Sequence, residues 1–174
     1  MMQPTFSSSR ILLPVRPWFI FISTCFALLL NFLPTSHWPG VPDWVALVLC
    51  FWAIREQRYM GMGSAFLLGL AMDVADGAVL GQHCFAYILM TFIATSQARR
   101  ILWFPVGQQT LQVLPLLVLC QLVQLLMRLV SGADFPGWSY LLSPLIAATL
   151  WIPATFLLLL PQYQPVSRDD NRPL

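Results

Sequence analysis

The sequence predicts an all-α integral membrane protein that crosses the bilayer six times with both ends in the cytoplasm. Three observations carry this expectation. The 174 residues are 58% hydrophobic and only 9% charged, whereas water-soluble domains carry about 25% charged residues. The apolar residues gather into six runs separated by proline, glycine and serine, punctuation that ends helices. The chain has nine basic residues, all arginine, and their spacing alternates with the runs. Arg10 and Arg16 precede the first run, Arg55 and Arg58 follow the second, Arg99 and Arg100 follow the fourth, and Arg168 and Arg172 follow the last. Arginine-rich loops resist translocation, so six crossings place eight of the nine on the cytoplasmic face, leaving Arg128 outside.

The elements follow in order. Run one, about 17–33, opens on Pro17, whose missing N–H is harmless in a first helical turn. Arg10 and Arg16 ahead of it imitate a signal peptide, but Asn31-Phe32-Leu33-Pro34 offers no small-residue cleavage site, so the run is read as an uncleaved helix. Residues 34–40 combine turn residues with Trp38 at the interface. Run two, about 42–54, is short, roughly 20 Å of helix. Run three covers about 59–75 and run four about 80–96. Residues 99–109 read as an interfacial segment carrying Trp103 and Phe104 and broken by Pro105. Run five covers about 110–130, and run six follows Trp138 and ends near Leu160. The expected organisation is thus a cytoplasmic segment 1–16, a membrane domain 17–160 and a polar, disordered tail 161–174. Re-entrant runs two and three would give four crossings instead, at the cost of placing Arg55 and Arg58 outside.

Charge and motif content exclude several classes. A net charge of +2 without a basic patch argues against nucleic-acid binding. Cys25, Cys50, Cys84 and Cys120 form no CxxC pair and read as small core hydrophobes. No phosphate-binding loop, nucleophile elbow or dinucleotide fingerprint is present.

Run three carries the most informative constellation. Gly61, Ala65, Gly69, Asp73 and Gly77 recur every four residues on one slowly rotating stripe. Small residues at this spacing let helix backbones approach closely in lipid. A carboxylate at membrane depth costs about 2.5–3.5 kcal/mol on insertion scales, so Asp73 must be shielded, paired or protonated. Depth matching offers Arg128, near the outer end of run five, as the partner of Asp73 or Asp76; the plain alternative is an arginine reaching for headgroups. Gln121, Gln124 and Arg128 share one face of run five and should bond a neighbouring helix or line a polar cavity. His83 with Asp73 and Asp76 lacks a further ligand of metal-site spacing. Ser64 and His83, as an intramembrane protease pair, would lie at opposite membrane depths.

Together these residues resemble the MreD family, the small inner-membrane proteins of the bacterial rod-shape machinery. The likeness runs over nearly the whole chain: Pro42-Asp43-Trp44 opening run two, Phe51-Trp52 followed by Arg55 and Arg58, and Gly69-Leu70 before Asp73. It continues through Gly77 and Leu80-Gly81-Gln82-His83, then Phe104-Pro105 with Gln108 and Gln109, then Trp138 before a last helix containing Trp151. The resemblance implies a non-enzymatic scaffold without cofactor or metal. It implies work beside MreC, the actin-like MreB, the polymerase RodA and its penicillin-binding transpeptidase in sidewall peptidoglycan synthesis. Under it, Gly61, Ala65, Gly69, Asp73, Gly77, Gly81, Gln82, His83, Gln121, Gln124 and Arg128 would serve helix packing or partner contact, and Arg55, Arg58, Arg99 and Arg100 cytoplasmic contacts. It also implies a fold akin to the substrate-capturing subunits of energy-coupling-factor transporters. That kinship supplies the rival reading, a small-molecule-binding transport subunit, although fold alone does not carry function.

Overall fold

The computed structural model describes residues 15–33 and 40–162. The 34–39 connection with Trp38, the 161–174 tail beyond Gln162, and Arg10, Arg168 and Arg172 lie outside the described residues. The described residues form six α-helices: α1 (Pro17–Phe32), α2 (Trp44–Arg55), α3 (Met62–Ala75), α4 (Gln82–Trp103), α5 (Val106–Val130) and α6 (Ser143–Leu159). A 3₁₀ turn, Trp138–Leu142, leads into α6.

Each boundary has a local cause. Pro17 stands in the first turn of α1. Asp43 caps α2, its side chain accepting the Ala46 N–H, an arrangement worth about 1 kcal/mol. Gly81, at φ +105°, starts α4 two residues later than the hydrophobic run begins, because only a glycine takes this backbone turn without strain. Two sequence expectations need correction here. The segment 99–109 is not a separate interfacial piece: α4 continues unbroken through Arg99 and Arg100 to Trp103. The break is confined to Phe104 and Pro105, and α5 starts at Val106, a turn earlier than the apolar run. Helix hydrogen bonds tolerate the polar residues 97–100 and 107–109 that hydropathy had marked as an interruption.

α2 is the centre of the bundle. It packs against α1, α4, α5 and α6, and nine of its twelve residues are buried, including Phe51 and Trp52. A helix that is apolar all round belongs inside, and this one, about 18 Å long, is surrounded by other helices of the bundle. Trp52 donates its Nε1–H to Ser23 Oγ of α1 at 2.9 Å and meets the Phe51 ring edge-on, while Phe51 contacts Trp151 of α6. α4 packs on α2, α3 and α5, whereas α3 packs on α4.

The outer surface is greasy. Trp18, Phe21, Phe26 and Leu29 of α1, Leu67 and Val74 of α3, and Leu111 and Leu126 of α5 are all exposed. A soluble monomer does not carry such contiguous apolar faces. By length and composition, α5 and the Trp138–Gln162 unit suffice to cross a membrane, and α1, α2 and α3 are shorter apolar helices. The chain is a helical membrane protein.

Candidate functional site

Six helix ends meet at one end of the bundle around a cavity of about 720 Å³. Its wall is built from the C-terminal ends of α1, α3 and α5 and the N-terminal ends of α2, α4 and α6, through Asn31, Met72, Arg128, Asp43, His83 and Ser143 among others. Arg16, Arg55, Arg58, Arg99 and Arg100 stand at the other ends of their helices, so the fold itself separates these arginines from the cavity. Arg58, Arg99 and Arg100 are exposed, and the Arg55 guanidinium lies 5.1 Å from the centre of the Phe51 ring, within cation–π range.

Two carboxylates organise this end. The first is Asp73, which is 1% exposed. One of its oxygens accepts the Gly81 N–H at 2.7 Å; the other accepts the His83 N–H at 2.8 Å and meets His83 Nδ1 at 2.9 Å. Gly81 and His83 supply the orphan amides of the first turn of α4, so a side chain of α3 caps the next helix across the interface. Opposite charge at a helix N-terminus is also favoured by the helix dipole. His83 Nε2 in turn lies 3.6 Å from Asp76 Oδ2. In the loop beyond α3, partial burial holds the Asp76 carboxyl above the usual carboxylate range; His83 pulls it back down, and Asp43 and Asp73 push it up.

The expected pairing of Arg128 with Asp73 or Asp76 is not formed: among the described residues both acids meet His83 instead. α4 stands between α3 and α5, and α3 packs on α4, so the acid finds His83, while Arg128 Nε donates to the Asp134 carbonyl at 3.2 Å. A charge exchange, Asp73→Arg with Arg128→Asp, is therefore expected to give no rescue. Asp73→Ala alone should cost about 3 kcal/mol or more by orphaning buried amides. Arg128→Gln should stay within about 1 kcal/mol. Thermal unfolding of the detergent-purified variants checks all three.

The stripe on α3 divides. Ala65, Gly69 and Asp73 are buried against α4. A Cβ on Gly69 would sit 2.5 Å from the Cys84 backbone nitrogen and Cα, and 2.8 Å from the His83 carbonyl carbon. Gly69 thus sets the interhelical distance that lets Asp73 reach α4. Gly61, in contrast, precedes the first residue of α3, and Gly77 and Gly81 are loop positions of positive φ with open space around them. At none of these three would a Cβ come into close contact with another helix among the described residues. Ser64 donates to the Gly61 carbonyl and lies about 14 Å along α3 from Asp73, away from His83.

The second organising carboxylate, Asp43, was not singled out as a site residue by sequence reasoning. Its Oδ1 accepts from Ala46 N–H at 2.9 Å and Asn31 Nδ2 at 3.0 Å. Its Oδ2 accepts from the Tyr87 hydroxyl at 2.7 Å and Gln124 Nε2 at 3.3 Å. One carboxylate therefore ties together α1, α2, α4 and α5. Tyr140 extends the network by donating to Gln124 Oε1 at 3.1 Å, and Gln121 Nε2 donates to the Tyr140 carbonyl at 3.3 Å. Both glutamines thus bond neighbouring elements and line the cavity. The available signal was an aspartate beside Pro42 opening an apolar run, the mark of an N-cap; its far partners leave no local trace.

A family model described as rod shape-determining protein MreD matches residues 9–160, a span that contains all six helices. The chain belongs to the MreD family. It is similar to the curated rod shape-determining protein MreD of Haemophilus influenzae (strain ATCC 51907 / DSM 11121 / KW20 / Rd), with 28% identity over 154 residues, covering 83% of this chain and 91% of that protein. No solved structure matches it. MreD membership makes rod-shape determination the role of this membrane protein, and the Asp43 and Asp73 networks are features of an MreD fold.

Proposed function

We propose that the protein is a non-enzymatic scaffold subunit of the bacterial cell-elongation complex. It sits in the inner membrane, crosses it six times with both termini in the cytoplasm, and helps to organise sidewall peptidoglycan synthesis. Its partners in this reading are MreC, MreB, RodA and the penicillin-binding transpeptidase. The observation that carries the reading is the use made of two acids, one buried and one half-buried. Asp73 and Asp43 are each engaged by several donors from other elements, as groups that fix helix register are, and not held free for proton or group transfer. The arginine-rich helix ends then face the cytoplasm, and the cavity faces the periplasm. The short α2 is shielded by its neighbours, and local thinning of the bilayer accommodates α3 at a fraction of a kcal/mol per ångström.

Affinity purification of the tagged protein from detergent, with mass spectrometry, tests this. Recovery of MreC and cell-wall synthases is expected, and depletion should turn rods into spheres. The cavity is the one feature that favours the second reading, a small-molecule-binding transporter subunit, since its volume lies within the range of ligand pockets. Co-purification of a vitamin with an ATPase pair, in place of the synthases, would replace the scaffold by that reading.

A further inference from the structure

The cavity holds polar groups that the bundle leaves unused. Asp43 and Asp73 are saturated by the donors already described, but three other side chains on the wall are not. Gln82 is only 7% exposed and lines the cavity, and among the described residues its side-chain amide makes no hydrogen bond. The amide is reached from the cavity, so its donor and acceptor are free for whatever the cavity holds. The Asp76 side chain is 46% exposed, its nearest ionic neighbour being His83 at 3.6 Å. Arg128, on the α5 wall, uses its Nε for the Asp134 carbonyl and forms no ion pair among the described residues. An acid, an amide and a guanidinium therefore face one space without neutralising each other. Exposed apolar side chains stand near the same helix ends: Val79 and Leu80 in the α3–α4 loop, Val130 at the end of α5, and Phe135 and Trp138 before α6.

The charges narrow the ligand. A bare anion would meet Asp76, and a simple amine would meet Arg128. A divalent cation would find Asp76 as the carboxylate not already saturated, with a guanidinium on the same cavity. A ligand carrying both signs satisfies every group. We propose that this cavity binds a zwitterionic headgroup of the phosphoethanolamine kind, the ammonium at Asp76 and the Gln82 carbonyl, the phosphate at Arg128. Guanidinium suits phosphate through its paired donors, and the amide supplies the acceptor that the ammonium needs. The apolar rim fits the acyl chains of a lipid whose headgroup is held in this way. In the six-crossing reading proposed above the lipid comes from the outer leaflet; binding in detergent does not rest on that reading.

The test uses the full chain in a nonionic detergent, titrated separately with dihexanoylphosphatidylethanolamine, dihexanoylphosphatidylglycerol and free phosphoethanolamine. The readouts are melting temperature and tryptophan fluorescence, since a ligand that binds the folded state raises its stability. The ethanolamine lipid should give a saturable rise, with the glycerol lipid binding roughly tenfold more weakly. Gln82→Leu and Arg128→Gln should each weaken the ethanolamine lipid by about tenfold, with unchanged circular dichroism. Asp76→Asn should erase the preference for ethanolamine over glycerol. Free phosphoethanolamine binding as tightly as the lipid would keep the headgroup chemistry and make its source a soluble zwitterion. Equal binding of the two lipids by the wild-type chain, no saturable response to any probe, or folded Gln82 and Arg128 variants that bind normally would each overturn the proposal.

Discussion

Replacing Gly69 by alanine is expected to destabilise the protein by about 3 kcal/mol, and replacement by leucine to prevent the native packing of α3 altogether. The new methyl would lie 2.5 Å from backbone atoms of Cys84, which cannot turn aside as a side chain can. α3 must back away by about 1 Å to restore ordinary contact, and overpacking of this kind typically costs about 1–3 kcal/mol. Here the retreat has a second cost. Asp73 lies one turn further along α3, and its bonds to Gly81 and His83 lengthen with the gap, so the α4 cap is lost as well. Temperature-dependent loss of the monodisperse elution peak measures the change, and cells carrying Gly69→Leu as the sole copy should lose rod shape. A Gly69→Leu protein as stable as the parent would mean that the two helices do not touch here.

The second large effect is expected at Asp43. Asp43→Ala removes the α2 N-cap, worth about 1 kcal/mol, orphans the Tyr87 hydroxyl, and leaves the Asn31 and Gln124 amides with only the weak sulfur acceptors of Met72 and Cys120. Each buried donor left unmatched costs about 1–3 kcal/mol, so a total of several kcal/mol follows. Asp43→Asn should be milder, because its carbonyl oxygen still caps α2 while its amide faces donors on the other side. The same melting assay orders the variants as parent, asparagine, alanine. An alanine variant within about 0.5 kcal/mol of the parent would show that the four-helix junction contributes nothing to stability.

How much of this was written openly in the chain depends on the range of the interaction. The six helices were legible because hydrophobic runs, Pro17, Asp43, Pro105 and the glycines mark them locally. The Ala65–Gly69–Asp73 face was legible because a four-residue period survives in sequence. The start of α5 was misplaced because a helix continues through polar residues when its backbone bonds are intact, and hydropathy does not register those bonds. The partner of Asp73 was misassigned for a different reason. Depth matching compares heights in the membrane and ignores which helices are neighbours; the contact between α3 and α4 brings His83, ten residues along, to the acid before Arg128 can compete. The Asp43 junction was least legible of all, since Asn31, Tyr87 and Gln124 come together from segments up to 81 residues away.

The claim on which the rest depends is directional: the helix ends bearing Arg55, Arg58, Arg99 and Arg100 share one side of the membrane, and the cavity opens on the other. Single cysteines at Glu56 and Ala133, in a chain with Cys25, Cys50, Cys84 and Cys120 replaced, can be challenged in intact cells with a maleimide that does not cross the inner membrane. Glu56→Cys is expected to react only after the inner membrane is permeabilised, and Ala133→Cys to react at once. Prompt labelling at Glu56 together with protection at Ala133 would contradict the orientation, and with it the periplasmic placement of the cavity.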